Sequence, residues 1–172
     1  MRKYTYIRKL ALSIVALFAV SMLTSACGNN IAEAEAEYEA TLIETVALIR
    51  LYAEVSEMVL GHVASTWRNA IDDRRDFNES LRFLFSLDSM QDLLDSLREN
   101  NAIIVENMRD LQDPPERLRD AYDALLDLFE IYSQLHSLAV SPSGSLQSFN
   151  AARNDLSARF SATYARLEVL LP

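Results

Sequence analysis

Residues 113–139 have the sequence DPPERLRDAYDALLDLFEIYSQLHSLA, and this stretch decides the fold. Its apolar residues recur at alternating steps of three and four, which places them on one face of a helix. Asp113 stands where a helix cap is expected, with Pro114 at the first helical position and Glu116 at the third. The predicted core-facing positions are Leu118, Ala121, Leu125, Leu128, Tyr132, Leu135 and Ala139.

Three more helices are expected around this stretch, because glycine is rare and the prolines fall in a few places. The first spans about 31–71, the second about 77–111, and the fourth follows residues 141–145 (SPSGS). A second apolar group on the first helix predicts that its middle is buried on more than one side. The first helix presents Tyr38, Leu42, Val46, Ile49, Ala53, Val59, Val63, Trp67 and Ala70, widened by Leu48, Leu51, Val55 and Met58. The second presents Leu81, Leu84, Leu87, Leu94, Leu97, Ile104 and Met108, and the fourth presents Leu146, Phe149, Leu156, Phe160, Leu167 and Leu170, with Arg153 and Thr163 as polar members.

Short connections between these helices predict an all-α fold, an antiparallel up-down bundle of four helices. The polar residues 32–40 would extend the first helix beyond its partners, as an N-terminal stalk or as a frayed helix start. The boundary at 72–76 is marked by charge alone, and Asp88 with Gln91 could form a capping pair that splits the second helix near Leu87. A three-helix bundle, with the first two helices fused or the second one broken, is the alternative.

The N-terminal segment has the order of an export signal. Residues 1–9 carry four positive charges, residues 10–23 are almost wholly apolar, and small residues precede Cys27, the only cysteine. An apolar run of about 14 residues is shorter than the ~20 that span a bilayer. The segment therefore predicts export and cleavage rather than a permanent transmembrane helix.

The sequence Leu23-Thr24-Ser25-Ala26-Cys27-Gly28 resembles the lipobox of bacterial lipoproteins, with its leucine at −4 where −3 is commonest. The resemblance implies cleavage between Ala26 and Cys27 and acylation of the Cys27 thiol, palmitate included. Two or three acyl chains give stable anchoring in the lipid bilayer. The resemblance also implies the outer face of the cytoplasmic membrane, as in Gram-positive bacteria, or the outer membrane, because no aspartate follows Cys27.

Charge excludes several classes of function for the processed chain. Removal of residues 1–26 leaves twelve arginines, no lysine and 25 acidic residues, a net charge of −13. Such a surface repels nucleic acid and anionic lipid headgroups. Without lysine there is no Schiff-base chemistry, and acylation of Cys27 leaves no thiol nucleophile. The expected domains are the cleaved signal peptide 1–26, the lipidated cysteine with spacer and stalk 27–37, and the helical bundle 38–172.

The candidate polar sites have simple alternative interpretations. His62 and His136 lack the Glu-x-x-His pattern of metal-binding bundles, because Val59 and Ser133 stand three positions before them. We therefore predict no metal, no cofactor and no catalytic residue. Two acidic stripes suggest a docking surface for a basic partner or for loosely held divalent cations or, more simply, solvated helix faces. They are Asp88, Asp92, Asp95 and Glu99 on the second helix, and Asp120, Asp123, Asp127 and Glu130 on the third.

The aromatic residues leave two functional hypotheses open. Trp67 and the tyrosines Tyr52, Tyr122, Tyr132 and Tyr164 could line a pocket or an interface, although bundle cores commonly bury such side chains. The leading hypothesis is a lipid-anchored, non-enzymatic bundle that binds a protein or envelope partner outside the membrane. The alternative is a carrier or sensor of a small apolar ligand between the helices. A cavity among these aromatics would favour the carrier, and close packing would favour the partner-binding bundle.

Overall fold

Helices make up most of the chain that the structure describes. This structure, a computed structural model, describes residues 29–172. Within that range, a 3₁₀ turn spans Glu116–Leu118, and no strand is present. The α-helices are α1 (Asn29–Asp72), α2 (Phe77–Ser86), α3 (Asp88–Asp110), α4 (Arg119–Val140) and α5 (Leu146–Leu170). The all-α class is confirmed, whereas the predicted signal peptide and Cys27 lie outside the described residues.

One hydrophobic core joins side chains from all five helices, within a compact unit that spans Ala34–Pro172. Every core-facing position predicted for the central stretch is buried, from Leu118 to Ala139. Burial of apolar surface contributes about 25 cal/mol per Å² and supplies the main driving force for this packing. The largest fully buried side chains are Tyr132, Phe149, Leu42, Ile49, Leu60, Leu97, Ile104, Leu111, Leu125, Leu128, Leu135 and Leu167.

The middle of α1 is buried on one side, and the prediction of burial on more than one side is wrong. Leu51 and Met58 are 50% and 52% exposed, although the first apolar group faces the core. Leu48 and Val55 are half-buried and pack against the edge of the core. The second apolar group of α1 therefore begins at the core boundary and continues onto the surface.

The charged boundary at 72–76 is confirmed by the turn between α1 and α2. Arg74 adopts a left-handed backbone conformation, with φ at 56°, where the chain leaves α1. Asp76 then caps α2, because its side chain accepts a hydrogen bond from the Glu79 N–H at 2.8 Å. Trp67 stacks on Phe77 with ring centroids 3.8 Å apart, which holds the start of α2 against the end of α1.

The predicted second helix is broken at Leu87, between α2 and α3. Leu87 has an extended backbone, with φ at −72° and ψ at 132°, and its N–H donates to the Leu84 carbonyl. Gln91 donates its side-chain N–H to the Phe85 carbonyl, and α3 begins without a side-chain cap. The Asp88 and Gln91 capping pair is therefore absent, and Leu87 is 39% exposed rather than inward.

The start of α4 also differs from the prediction. The helix begins at Arg119 after the 3₁₀ turn, so Asp113 does not cap it and Pro114 is not its first residue. The physical reason is the double proline, since a residue that precedes proline is disfavoured in the helical region. The residues so restricted are Asp113 and Pro114. Pro115, which caps the 3₁₀ turn, is extended as well, with φ at −54° and ψ at 147°.

The start of α5 carries the capping signal that α4 lacks. Ser145 Oγ accepts a hydrogen bond from the Ser148 N–H at 3.1 Å, and Ser148 Oγ accepts from the Ser145 N–H at 2.9 Å. This reciprocal pair is a capping box. Gly144 precedes it with φ at 95°, a conformation that glycine adopts without strain. At the other end of α5, Leu170 is 38% exposed, so its predicted inward position is wrong.

Candidate binding groove

An open groove of about 470 Å³ lies between α1 and α5. Ala53 and Leu135, both buried, form its floor. Phe160 and Tyr164 form one wall, with ring centroids 6.3 Å apart and ring planes 11° apart. The volume falls within the ~300–1,000 Å³ typical of ligand sites. The other lining residues are Arg50, Glu54, Glu57, Ser157 and Ser161.

Arg50 contacts the aromatic wall of this groove. Its Nη1 donates a hydrogen bond to the Tyr164 hydroxyl at 3.1 Å, and its guanidinium carbon lies 5.2 Å from the centre of the Tyr164 ring. That placement is a cation–π contact. The Glu54 carboxylate lies 3.6 Å from Arg50 Nε, which is longer than a good hydrogen bond. The Arg50 and Glu54 side chains are 55% and 67% exposed, so this ion pair is held loosely.

Glu57 is held much more firmly on the same side of the groove. Arg153 Nε donates to one carboxylate oxygen at 2.7 Å, and the Ser157 hydroxyl donates to the other. The Glu57 and Arg153 side chains are 28% and 29% exposed. Because each charge is largely shielded from water, each needs the other as a counter-charge. The Glu57 carboxylate is therefore held in one position, whereas the Glu54 carboxylate is accessible to a ligand in the groove.

The predicted histidines occupy different environments. His62 is exposed on α1, and His136 is partly buried on α4, where its Nε2 has no hydrogen-bond partner among the described residues. Burial lowers the pKa of His136, the backbone of Leu97 opposes that shift, and the charge of Arg98 adds to it. Within residues 29–172, no group of three or more His, Cys, Asp or Glu side chains is arranged to hold a metal ion.

The two acidic stripes lie on solvent-facing sides of α3 and α4. All eight side chains are exposed. Asp95 pairs with Arg98 at 2.8 Å on its own helix, and Asp127 pairs with Arg166 on α5 at 2.5 Å. Exposed pairs of this kind contribute little to stability. The stripes have the placement of solvated helix faces.

Of the predicted aromatic residues, Tyr164 lines the groove and Trp67 does not. Trp67 packs in the core against Phe77 and lies 5.8 Å from Phe149 between ring centroids. Tyr132 is fully buried, which raises its pKa, and its hydroxyl has no hydrogen-bond partner among the described residues. The contacts of Trp67 are those of a packed core residue.

Several groove residues are absent from the predicted site. Arg50, Glu54, Glu57 and Phe160 carry no short motif. The bonds of Arg50 to Tyr164 and of Glu57 to Arg153 join positions 114 and 96 residues apart in sequence. Arg153 is the one residue whose position in the sequence pattern could have indicated part of this groove. An arginine within an apolar seam needs a counter-charge on a neighbouring helix, and that requirement points to a glutamate.

A second open groove, of about 610 Å³, lies between the end of α1 and α2. Phe83 stands in its lining and is 68% exposed. Among residues 29–172, no helix combines the length and the apolar character that crossing a membrane requires. No protein-family model matches the chain, and no curated protein or solved structure matches it either.

Proposed function

We propose that the chain is a bacterial lipoprotein, anchored outside the cytoplasm through acyl chains on Cys27 after removal of residues 1–26. The support is the order of basic, apolar and small residues before a single cysteine. We place the protein on the outer face of the cytoplasmic membrane, with the outer membrane as the alternative. Metabolic labelling with a palmitate analogue should mark the wild-type chain, and Cys27→Ser should abolish the label. A wild-type chain that takes up no label would contradict the anchor.

We propose that the exported part is an antiparallel up-down bundle in which α1, α3, α4 and α5 are the four long members. The order of the contacts supports it. Along α1, Arg50 bonds to Tyr164 and Glu57 bonds to Arg153, so the residue numbers on α5 fall as those on α1 rise. Near the start of α1, Tyr38 bonds to Leu111, which follows the end of α3. Contacts that pair rising with falling residue numbers are those of antiparallel neighbours.

The stalk in this proposal is shorter than the predicted spacer and stalk 27–37, and it ends before Glu35. Arg117 donates to Glu35 at 2.9 Å and to Glu39 at 2.7 Å, so these two glutamates are tied to the connection between α3 and α4. Residues that precede them would link the bundle to the acylated cysteine.

We propose that the anchored bundle is non-enzymatic and binds a protein partner through the α1–α5 groove. One observation carries this proposal: the groove combines an aromatic wall with a carboxylate, Glu54, that is 67% exposed and only loosely paired. Aromatic side chains with a few placed polar groups are typical of the centres of protein interfaces. The negative charge of the processed chain would attract a basic partner to the protein, and Glu54 offers that partner a counter-charge in the groove.

Photo-crosslinking in living cells tests the partner. A photoreactive amino acid at Ser161, in the groove, should capture one specific protein. The same residue at Glu99, exposed on α3, is the matched control and should not capture that protein. A photoreactive side chain is required because the processed chain has no lysine for amine-directed reagents. Capture of the same proteins from both positions, or of none from Ser161, would contradict the proposal.

The carrier of a small apolar ligand is the second candidate function. The apolar floor of the groove, with Phe160 beside it, favours this alternative. The packing of Trp67 against Phe77 and Phe149 weighs against a ligand deeper among the aromatics. Lipid extraction of the purified full chain followed by mass spectrometry distinguishes the two. A stoichiometric apolar molecule, lost in Phe160→Ala, would favour the carrier.

A further inference from the structure

We propose, on the basis of the partner-binding function above, that the α1–α5 groove receives an arginine side chain from the partner protein. The guanidinium of that arginine lies on the Tyr164 ring, in the place that Arg50 occupies in this structure. Glu54 supplies its counter-charge. Arg50 is then an internal occupant that the partner displaces.

The contacts of Arg50 show what the groove can hold. A guanidinium is planar, stacks on aromatic rings and donates hydrogen bonds in its own plane. Arg50 uses both properties, because its guanidinium carbon lies 5.2 Å from the centre of the Tyr164 ring and its Nη1 donates to the Tyr164 hydroxyl at 3.1 Å. The groove thus offers an arginine an aromatic face, a hydroxyl acceptor and a carboxylate.

The same contacts make Arg50 displaceable. Its side chain is 55% exposed, and the 3.6 Å separation from Glu54 is too long for a good hydrogen bond. Exposed ion pairs add little to stability, so moving Arg50 into solvent costs little. Glu57 differs, because Arg153 and Ser157 hold its carboxylate in place. The partner's charge therefore meets Glu54 and not Glu57.

The apolar lining of the groove also favours apolar residues on either side of the partner's arginine. Ala53, Leu135 and Phe160 form an apolar surface under and next to the Tyr164 ring. Apolar side chains flanking the arginine would cover this surface and exclude water from the charge contact. A lysine fits less well, since its ammonium is compact, strongly hydrated and unable to stack as a plane. The preferred segment is a basic peptide with arginine between apolar residues.

Two capped tripeptides test this assignment. The probe is acetyl-Leu-Arg-Leu-amide, and its matched control replaces arginine with citrulline, which has nearly the same shape and no charge. Each is titrated into the full chain in nanodiscs while the ring resonances of Tyr164 and Phe160 are followed by NMR, so that Phe160 still reports on the groove in a Tyr164 variant. We expect the arginine peptide to shift these resonances and to bind about 2- to 5-fold more tightly than the citrulline peptide, as for an exposed cation–π contact.

Substitutions separate an arginine site from other sites. Arg50→Ala removes the internal competitor and should tighten binding of the arginine peptide, whereas a groove suited to an anion would bind its ligand more weakly after this change. Tyr164→Ala should abolish the preference for arginine over citrulline, and Glu54→Gln should reduce it. Phe83→Ala, in the second groove, is the control and should leave both affinities unchanged. Circular dichroism confirms that each variant is folded.

Two results overturn the arginine assignment: equal affinities for the two peptides, or weaker binding of the arginine peptide by Arg50→Ala. Either result leaves the proposed function intact if the photoreactive residue at Ser161 still captures a specific protein. Failure to capture a protein from Ser161 contradicts the proposed function, whatever the peptides do. The two failures are therefore distinguishable.

Discussion

Tyr38 donates its hydroxyl hydrogen to the Leu111 carbonyl at 2.9 Å and so links the first part of α1 to the residue that follows α3. These residues are 73 positions apart in sequence. Burial raises the pKa of the Tyr38 hydroxyl to about 12. The bond is therefore partly shielded from water, and it holds the first part of α1 against the end of α3.

Tyr38→Phe should lower the free energy of unfolding by about 0.5–1.5 kcal/mol, because the Leu111 carbonyl loses its hydrogen-bond donor. Urea denaturation followed by circular dichroism measures the change. Tyr122→Phe is a matched control, since Tyr122 is also half-buried beside the core. Equal losses in the two variants would show that the hydrogen bond to Leu111 contributes nothing of its own.

The Glu57 and Arg153 pair should contribute more than the exposed pairs. Glu57→Gln leaves Arg153 with a neutral partner in a site where both side chains are less than a third exposed. We expect a loss of about 1–3 kcal/mol in the free energy of unfolding. Asp155→Asn removes the partner of Arg159 in an exposed pair and should cost below about 0.5 kcal/mol.

A double-mutant cycle separates the pair from its surroundings. Glu57→Ala, Arg153→Ala and the double variant give a coupling energy that packing changes alone do not produce. Additive losses in the cycle would contradict the assignment of Glu57 as the counter-charge of Arg153. The cycle also reports on the groove, because Glu57 forms one of its walls.

The helix pattern could be predicted from sequence where an apolar stripe and its boundaries agree. The stripe from Leu118 to Ala139 is buried throughout because consistent steps of three and four leave one possible inward face. On α1 the sequence has a second apolar group, and periodicity cannot say whether another helix covers it. Leu51 and Met58 are accordingly exposed. Whether another helix packs over an apolar group depends on long-range contacts, and the sequence of one helix does not determine them.

The α1–α5 groove could not be predicted from local sequence patterns, because its contacts also depend on long-range packing. Arg50 and Tyr164 meet across 114 positions, and neither residue belongs to a recognisable motif. Tyr164 could be listed among the aromatic candidates, but its partner depends on how α1 and α5 align. The break at Leu87 was ambiguous in the same way, because no glycine or proline marks it.

The starts of α4 and α5 should differ in how much stability they lose when the predicted or observed capping side chain is removed. Ser145→Ala removes the acceptor for the Ser148 N–H and should lower the free energy of unfolding by about 0.5–2 kcal/mol. Asp113→Ala should change it by less than about 0.5 kcal/mol, because Asp113 does not cap α4. Thermal or urea denaturation measures both. A larger loss for Asp113→Ala would mean that α4 begins at the double proline after all.

His136 should make the stability of the protein depend on pH near neutrality. Burial lowers its pKa in the folded state below its ordinary value of 6.5. Between the lowered value and 6.5, the unfolded chain binds more protons than the folded chain, so stability falls as the pH falls through this window. The Leu97 carbonyl opposes the effect, whereas the positive charge of Arg98 reinforces it.

Urea denaturation of wild type and His136→Gln at a series of pH values from 7.5 to 5 measures this contribution. The difference in unfolding free energy between the two should change with pH in the variant's favour as the pH falls. His62→Gln is the matched control, because it makes the same substitution at the other histidine, which is exposed on α1. Subtracting the curves cancels the contribution of every group that the three proteins share. Parallel curves for wild type and His136→Gln would show that the imidazole at the α3–α4 contact gains or loses its proton as easily in the folded chain as in the unfolded one.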